Sequence, residues 1–180
     1  MGPSVLFVIG ASGAGKTAAV RALATRHLDG VRCYHFDSIG VPTPAQMERE
    51  WGSGEAWQKQ MTKQWIERLA RNGDSAECAV LEGQTRPSFI QPELPAAGIR
   101  YGRIVLLECT AATRLARLAG PRAQPELAND RMNTWAVYLR GQADALGIDV
   151  LDTSTTPVEG VADYLQRQVE TLQSTRGAAA

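Results

Sequence analysis

Eight consecutive residues, Gly10, Ala11, Ser12, Gly13, Ala14, Gly15, Lys16 and Thr17, have the types and spacing of G-x-x-x-x-G-K-T. Glycine backbones wrap without Cβ clashes, so successive N–H groups in such a loop point at one anion. A helix opening at the end of the loop adds its free N–H groups and the positive end of its dipole. Lys16 supplies a point charge for the β- and γ-phosphates of a nucleotide, and the Thr17 hydroxyl is a hard oxygen ligand suited to Mg²⁺. All four fixed positions of the phosphate-cradling motif are matched. Mg²⁺ and ATP are therefore the expected cofactors.

Other candidate groups follow in chain order. Asp37 closes an apolar stretch, Val31 to Phe36, and is placed to hold or deprotonate a substrate; Asp37-Ser38 equally suits the cap of a turn. Glu82 closes a second apolar stretch, Glu77 to Leu81, where a carboxylate can hold Mg²⁺ directly or through water. Glu108 and Asp152 also stand at strand ends, but Gly83 leaves open space beside Glu82 and Arg86 follows. Arg86 has the planar fork that grips anions. Arg117, Arg122 and Arg131 flank a break, Gly120 to Pro125, and form a basic flap that can close over phosphates; a solvated basic face is the plainer reading for any one of them.

The elements that must position these groups can be read from pattern. Ser4 to Ile9, Val31 to Phe36, Glu77 to Leu81, Ile104 to Cys109 and Ile148 to Asp152 read as five buried strands. Between them lie helical segments. The first runs to about His27, with Asp29-Gly30 as its stop. Thr43 caps a short helix that has Pro44 at its first position, and Ser53 opens a longer one ending at Arg71 to Asp74. Trp57, Met61, Trp65 and Leu69 recur every four residues and predict a core-facing stripe; Trp51 and Trp57 are also candidate walls for a planar or sugar-like substrate. A short helix is predicted from Pro87 to about Ala97, a capped one from Thr110 to about Ala119, a longer one from Glu126 to Leu146, and the last from Val158 to about Leu172. The turn from Asp152 to Pro157 can border an adenine ring.

The chain has 180 residues, enough for one domain with a real core. Its 19 Lys and Arg balance its 19 Asp and Glu, so no global basic field exists to hold nucleic acid. No apolar run approaches the roughly 20 residues that span a bilayer, and no signal-peptide pattern opens the chain. Cys33, Cys78 and Cys109 are widely spaced within predicted strands and read as core thiols. A cytoplasmic location without membrane or nucleic-acid partners is expected, as a monomer or homodimer.

Strands alternating with helices, opened by a phosphate loop, imply an α/β, three-layer αβα fold with a parallel sheet. On these residues the chain resembles the small P-loop kinases: nucleoside monophosphate kinases, shikimate and gluconate kinases, and phosphotransferases of the chloramphenicol type. The resemblance extends to about Leu172. It implies the P-loop NTPase fold, with a five-stranded sheet ordered 2-3-1-4-5 and a short lid. Glu82-Gly83-Gln84-Thr85-Arg86 is similar to the monophosphate kinases' Asp-Gly-x-Pro-Arg, with Glu for Asp and Thr for Pro. Asp37 stands where many metabolite kinases carry an acid on the acceptor hydroxyl. Arg117 and Arg122 resemble the arginines that open the lid.

The expectation is a single domain over 1–173, with an acceptor-binding segment at about 40–72, a lid at about 117–131 and a flexible tail at 174–180. Its expected activity is Mg·ATP-dependent phosphoryl transfer to a hydroxyl or phosphate of a small molecule: metabolite, nucleotide or antibiotic. Lys16, Asp37, Arg86, Arg117 and Arg122 are the catalytic candidates. The competing expectation is a non-catalytic ATP-binding regulator or ligand-sequestering protein, which needs the loop but no acceptor acid.

Overall fold

The computed structural model describes residues 3–71, 77–120 and 123–178. Strand β1 (Ser4–Ile9) is buried along its whole length, as its apolar run requires of a parallel strand covered on both faces. It is flanked by β3 (Cys78–Gly83) and β4 (Gly102–Glu108), with β2 (Val31–His35) and β5 (Asp149–Asp152) at the edges. All the pairings are parallel, and the order is β2-β3-β1-β4-β5.

Alternation along β1 sends its side chains into two cores. Val5, Phe7 and Ile9 join the Trp57, Met61, Trp65 and Leu69 stripe of α3 (Gly54–Arg71) and Leu139 and Ala143 of α7 (Asp130–Leu146). Leu6 and Val8 join Val20 and Leu23 of α1 (Lys16–Ala24) and Leu165 and Val169 of α8 (Val158–Ala178). The result is the expected three-layer sandwich. The tryptophan stripe is core, and Trp51 packs partly buried against it.

Local chemistry sets the boundaries. In α2 (Pro44–Trp51), Thr43 and Gln46 form a reciprocal capping box, with proline at the first turn. Ser53 accepts from the Ala56 N–H and starts α3. Thr110 caps α6 (Ala111–Ala119).

Several boundaries differ from the sequence pattern. Helix α1 stops at Ala24 rather than near His27, because Thr25 turns its hydroxyl onto the Ala22 carbonyl and His27 adopts φ 49°. The predicted helix from Pro87 to Ala97 is two short ones, α4 (Pro87–Ile90) and α5 (Glu93–Ala96), since Pro92 has no N–H to carry the ladder. Helix α7 begins at Asp130, not Glu126: Asn129 accepts from the Met132 N–H and starts it there, leaving Pro125–Leu127 as a separate 3₁₀ turn. Strand β2 ends at His35, and Phe36–Ile39 is a 3₁₀ turn. Strand β3 runs on through Glu82 and Gly83. Helix α8 continues past Leu172 to Ala178, so the expected tail is helical up to that residue.

Candidate active site

The phosphate loop leaves β1 at Gly10 and enters α1 at Lys16, with the Ala14 N–H donating to the Ala11 carbonyl at 3.2 Å. Gly13 shows why glycine is needed: its φ is +83°, and a Cβ there would stand 2.9 Å from Cγ of Arg114. Lys16 is buried and arches back over the loop, its Nζ donating to the Ala11 carbonyl at 3.1 Å.

Parallel pairing brings the carboxyl end of β3 beside this loop. Thr17 Oγ1 donates to Glu82 Oε1 at 3.0 Å across 65 residues of sequence. The rival acids are engaged elsewhere. Glu108 pairs with Arg140 at 2.5 Å, and Asp152 accepts from the Ser154 N–H. The Ser154 hydroxyl and backbone hold the Asp152 carboxyl below the usual carboxylate range. A further residue also reaches Glu82: His35 Nδ1 lies 2.7 Å from the same Oε1. His35 carries no motif and is read in the sequence only as part of a strand.

Cations gather under the loop. Arg117 donates from one nitrogen to the Gly13 carbonyl (3.1 Å) and Thr153 Oγ1 (3.0 Å), and from the other to the Thr153 carbonyl (2.6 Å). Arg114, only 4% exposed, donates to Asn133 Oδ1 (2.7 Å) and the Cys109 carbonyl (3.1 Å), while its Nε has no hydrogen-bond partner among the described residues. Burial raises the Cys109 thiol above its ordinary value, and the charges of Arg114 and Arg117 partly offset this. Arg114 is missing from the sequence expectation as a site residue, because nothing in its local pattern distinguishes it from any helix arginine; Thr153 is expected only within the turn that borders an adenine ring, not as a support of the phosphate loop.

A cavity of about 680 Å³ opens beside the loop, lined among others by Gly15, Thr17, Arg117, Thr153, Thr156 and Val158. It includes the turn after β5 that the sequence marks as an adenine border. Part of its wall is apolar, from Ala18, Val158 and Val161.

On the other flank, Asp37 is exposed on the 3₁₀ turn at the carboxyl end of β2. The turn is held from below: Phe36 is buried, and Trp65 Nε1 donates to its carbonyl at 3.1 Å. The space expected beside Gly83 is not open. A Cβ there would meet the Phe36 Cβ at 2.3 Å, so the missing side chain makes room for the turn that carries Asp37. Gln84 also enters the site, Nε2 donating to Ser12 Oγ of the phosphate loop at 2.7 Å.

Arg86 is committed to protein partners. It donates to Gln58 Oε1 and, at 3.2 Å, to Glu55 Oε2, both on α3. Its guanidinium lies 5.0 Å from the Phe89 ring, 4.8 Å from Trp135 and 5.6 Å from Tyr138. Arg131 is exposed on the first turn of α7. Arg122 lies outside the described residues.

The residues present fit a magnesium nucleotide. The loop keeps Gly13 and Gly15 at positive φ and opens a helix at Lys16, the backbone form that turns successive N–H groups toward an anion. Thr17 and Glu82 offer hydroxyl and carboxylate oxygens, the hard donors Mg²⁺ prefers. Among the described residues no group of three or more His, Cys, Asp or Glu gathers as a metal cage; Mg²⁺ in such sites is held mainly by phosphates and water.

No protein-family model matches the chain, and no curated protein does. Solved structures do match its fold. A gluconokinase from Sinorhizobium meliloti is 18% identical with a TM-score of 0.64, covering 96% of this chain and 97% of its own. A tunicamycin resistance protein from Deinococcus radiodurans is 19% identical with a TM-score of 0.63, covering 93% and 95%. A shikimate kinase from Acinetobacter baumannii, in complex with shikimate, is 18% identical with a TM-score of 0.60, covering 96% and 94%. The chain thus has the fold of the P-loop small-molecule kinases along nearly its whole length.

Proposed function

We propose that this protein is a Mg·ATP-dependent phosphotransferase acting on a hydroxyl of a small molecule. The observation that carries the reading is the 3.0 Å bond from Thr17 to Glu82, which ties the phosphate loop to an acid on the neighbouring strand. Asp37 stands at the end of the next strand over.

Phosphoryl transfer asks mainly for positioning and charge stabilisation, so a sparse set of groups suffices. The loop N–H groups and Lys16 hold the donor's phosphates. Thr17 and Glu82 hold the metal, Glu82 directly or through water. A magnesium ion held by these two residues would supply charge neutralisation for the donor's phosphates. Asp37 orients the acceptor hydroxyl and accepts its proton. Arg117, already bonded to the Gly13 carbonyl, keeps positive charge at the loop. Arg86, bonded to Glu55 and Gln58, acts by bracing the acceptor segment, about 40–72, rather than by gripping phosphate. The cavity beyond Thr153 takes the nucleoside.

The three cysteines are free thiols and no helix among the described residues is long and apolar enough to cross a membrane, which supports action in the cytoplasm. The test is a panel of hydroxylated metabolites, nucleotides and antibiotics incubated with ATP labelled on the γ-phosphate. A labelled product is expected, lost in Lys16→Ala with the fold intact by circular dichroism. Asp37→Asn should lower the rate by roughly 10²–10⁴-fold, as loss of a general base does, while ATP binding is retained. Tight ATP binding with no product across the panel would replace this reading with a nucleotide-binding regulator.

A further inference from the structure

We propose that His35 is a positioning residue for the metal site, holding the Glu82 carboxylate from the sheet side. The proposal rests on the reading of Glu82 as the acid that holds the metal.

Strand register pairs His35 with Glu82, and the Nδ1 to Oε1 distance is 2.7 Å. An ionised carboxylate only accepts hydrogen bonds, so Nδ1 carries the proton in this pair. The Glu82 side chain is 8% exposed and that of His35 is 36% exposed. A carboxylate so buried is costly unless hydrogen-bonded.

Among the described residues Thr17 and His35 bond to it, and both reach the same oxygen. They differ in where they are anchored. Thr17 belongs to the first turn of α1, directly after the phosphate loop. His35 ends a strand whose neighbour is β3 itself. The Thr17 hydroxyl is itself a candidate ligand of the metal, whereas His35 is not. His35 therefore keeps the rotamer and plane of the carboxylate when the Thr17 hydroxyl turns toward a metal ion. Hydrogen bonds of this kind to a ligating group are worth roughly ten- to a hundred-fold in metal affinity or activity.

The test uses the full chain, Mn²⁺ as a paramagnetic probe, and a non-hydrolysable ATP analogue. Three variants at the site are compared with the parent: His35→Phe keeps a ring without a donor, His35→Asn places an amide N–H near the position of Nδ1, and Glu82→Gln removes the acid. The expected result is that His35→Phe weakens Mn²⁺ in the ternary complex about ten-fold or more, by electron paramagnetic resonance, with analogue affinity in EDTA unchanged. His35→Asn should recover most of that loss. If Glu82→Gln weakens Mn²⁺ but His35→Phe binds it like the parent, the role of His35 is overturned and the metal reading stands. If His35→Asn is no better than His35→Phe, the hydrogen bond is not the cause and the proposal also fails. If Glu82→Gln leaves Mn²⁺ unchanged, the metal reading itself falls.

Discussion

Thr153 Oγ1 lies 2.9 Å from the Ala14 carbonyl and 3.0 Å from the Glu108 carbonyl, and it accepts from Arg117. One small, buried side chain thus joins the phosphate loop, the end of β4 and the arginine beneath the loop. The chemistry of single residues also decides what the cysteines do. Burial pushes the Cys33 thiol up to about 11 from its ordinary value near 9. A thiol that resists ionising is a poor nucleophile, so native protein at pH 8 should react far more slowly with Ellman's reagent than denatured protein. The linkage has a sign. With the folded value raised, the stabilising contribution is complete below pH 9 and is lost as pH climbs toward 11, because the unfolded chain releases its proton first. The urea midpoint should fall over that window, and less steeply in Cys33→Val.

At the scale of elements, the 3₁₀ turn Phe36–Ile39 depends on an absent side chain at the end of the next strand in sequence. Gly83→Ala would drive a methyl into Phe36, which is 1% exposed and has nowhere to go. Overpacking of this kind costs about 1–3 kcal/mol. Because the displaced turn carries Asp37, turnover should drop while ATP affinity, measured by calorimetry, stays near its original value. A second device joins α3, α4 and α7 through Arg86. Its side chain is 16% exposed, so its stacking on Phe89, Trp135 and Tyr138 is largely desolvated, whereas the bond to the exposed Glu55 adds little. Arg86→Met should lower stability by about 2 kcal/mol in urea unfolding. Glu55→Gln should cost far less. A loss in Glu55→Gln equal to that in Arg86→Met would mean the ion pair, not the ring stack, holds α7.

For the whole molecule, parallel order β2-β3-β1-β4-β5 puts the carboxyl ends of β1, β2 and β3 on one edge, where ligands of open α/β sheets collect. A ligand that binds only the folded state adds stability by mass action, about 2.7 kcal/mol at a hundred times its Kd. For a chain of this size that corresponds to a rise in Tm of roughly 5–10 °C. Mg·ATP should produce it in a thermal melt, and ATP in EDTA should produce less. No shift with either Mg·ATP or Mg·GTP would remove nucleotide binding from the account.

The parts legible in the sequence are those whose physics is local. The loop from Gly10 to Thr17, the apolar runs of the strands, the Thr43, Ser53 and Thr110 caps and the Trp57–Leu69 stripe each depend on neighbours within a few residues. A pattern of types and spacings therefore specifies them, and the three-layer fold follows. His35 on Glu82, Gln84 on Ser12, Thr153 under the loop and Phe36 in the gap beside Gly83 depend on groups brought together from 47 to 139 residues apart. No period or motif encodes such pairs, since each exists only once strand register and helix packing have placed its halves. The same holds for Arg86: its sequence neighbourhood shows a charge free to grip an anion, and only the packing of α3 and α7 turns that charge into a brace between helices.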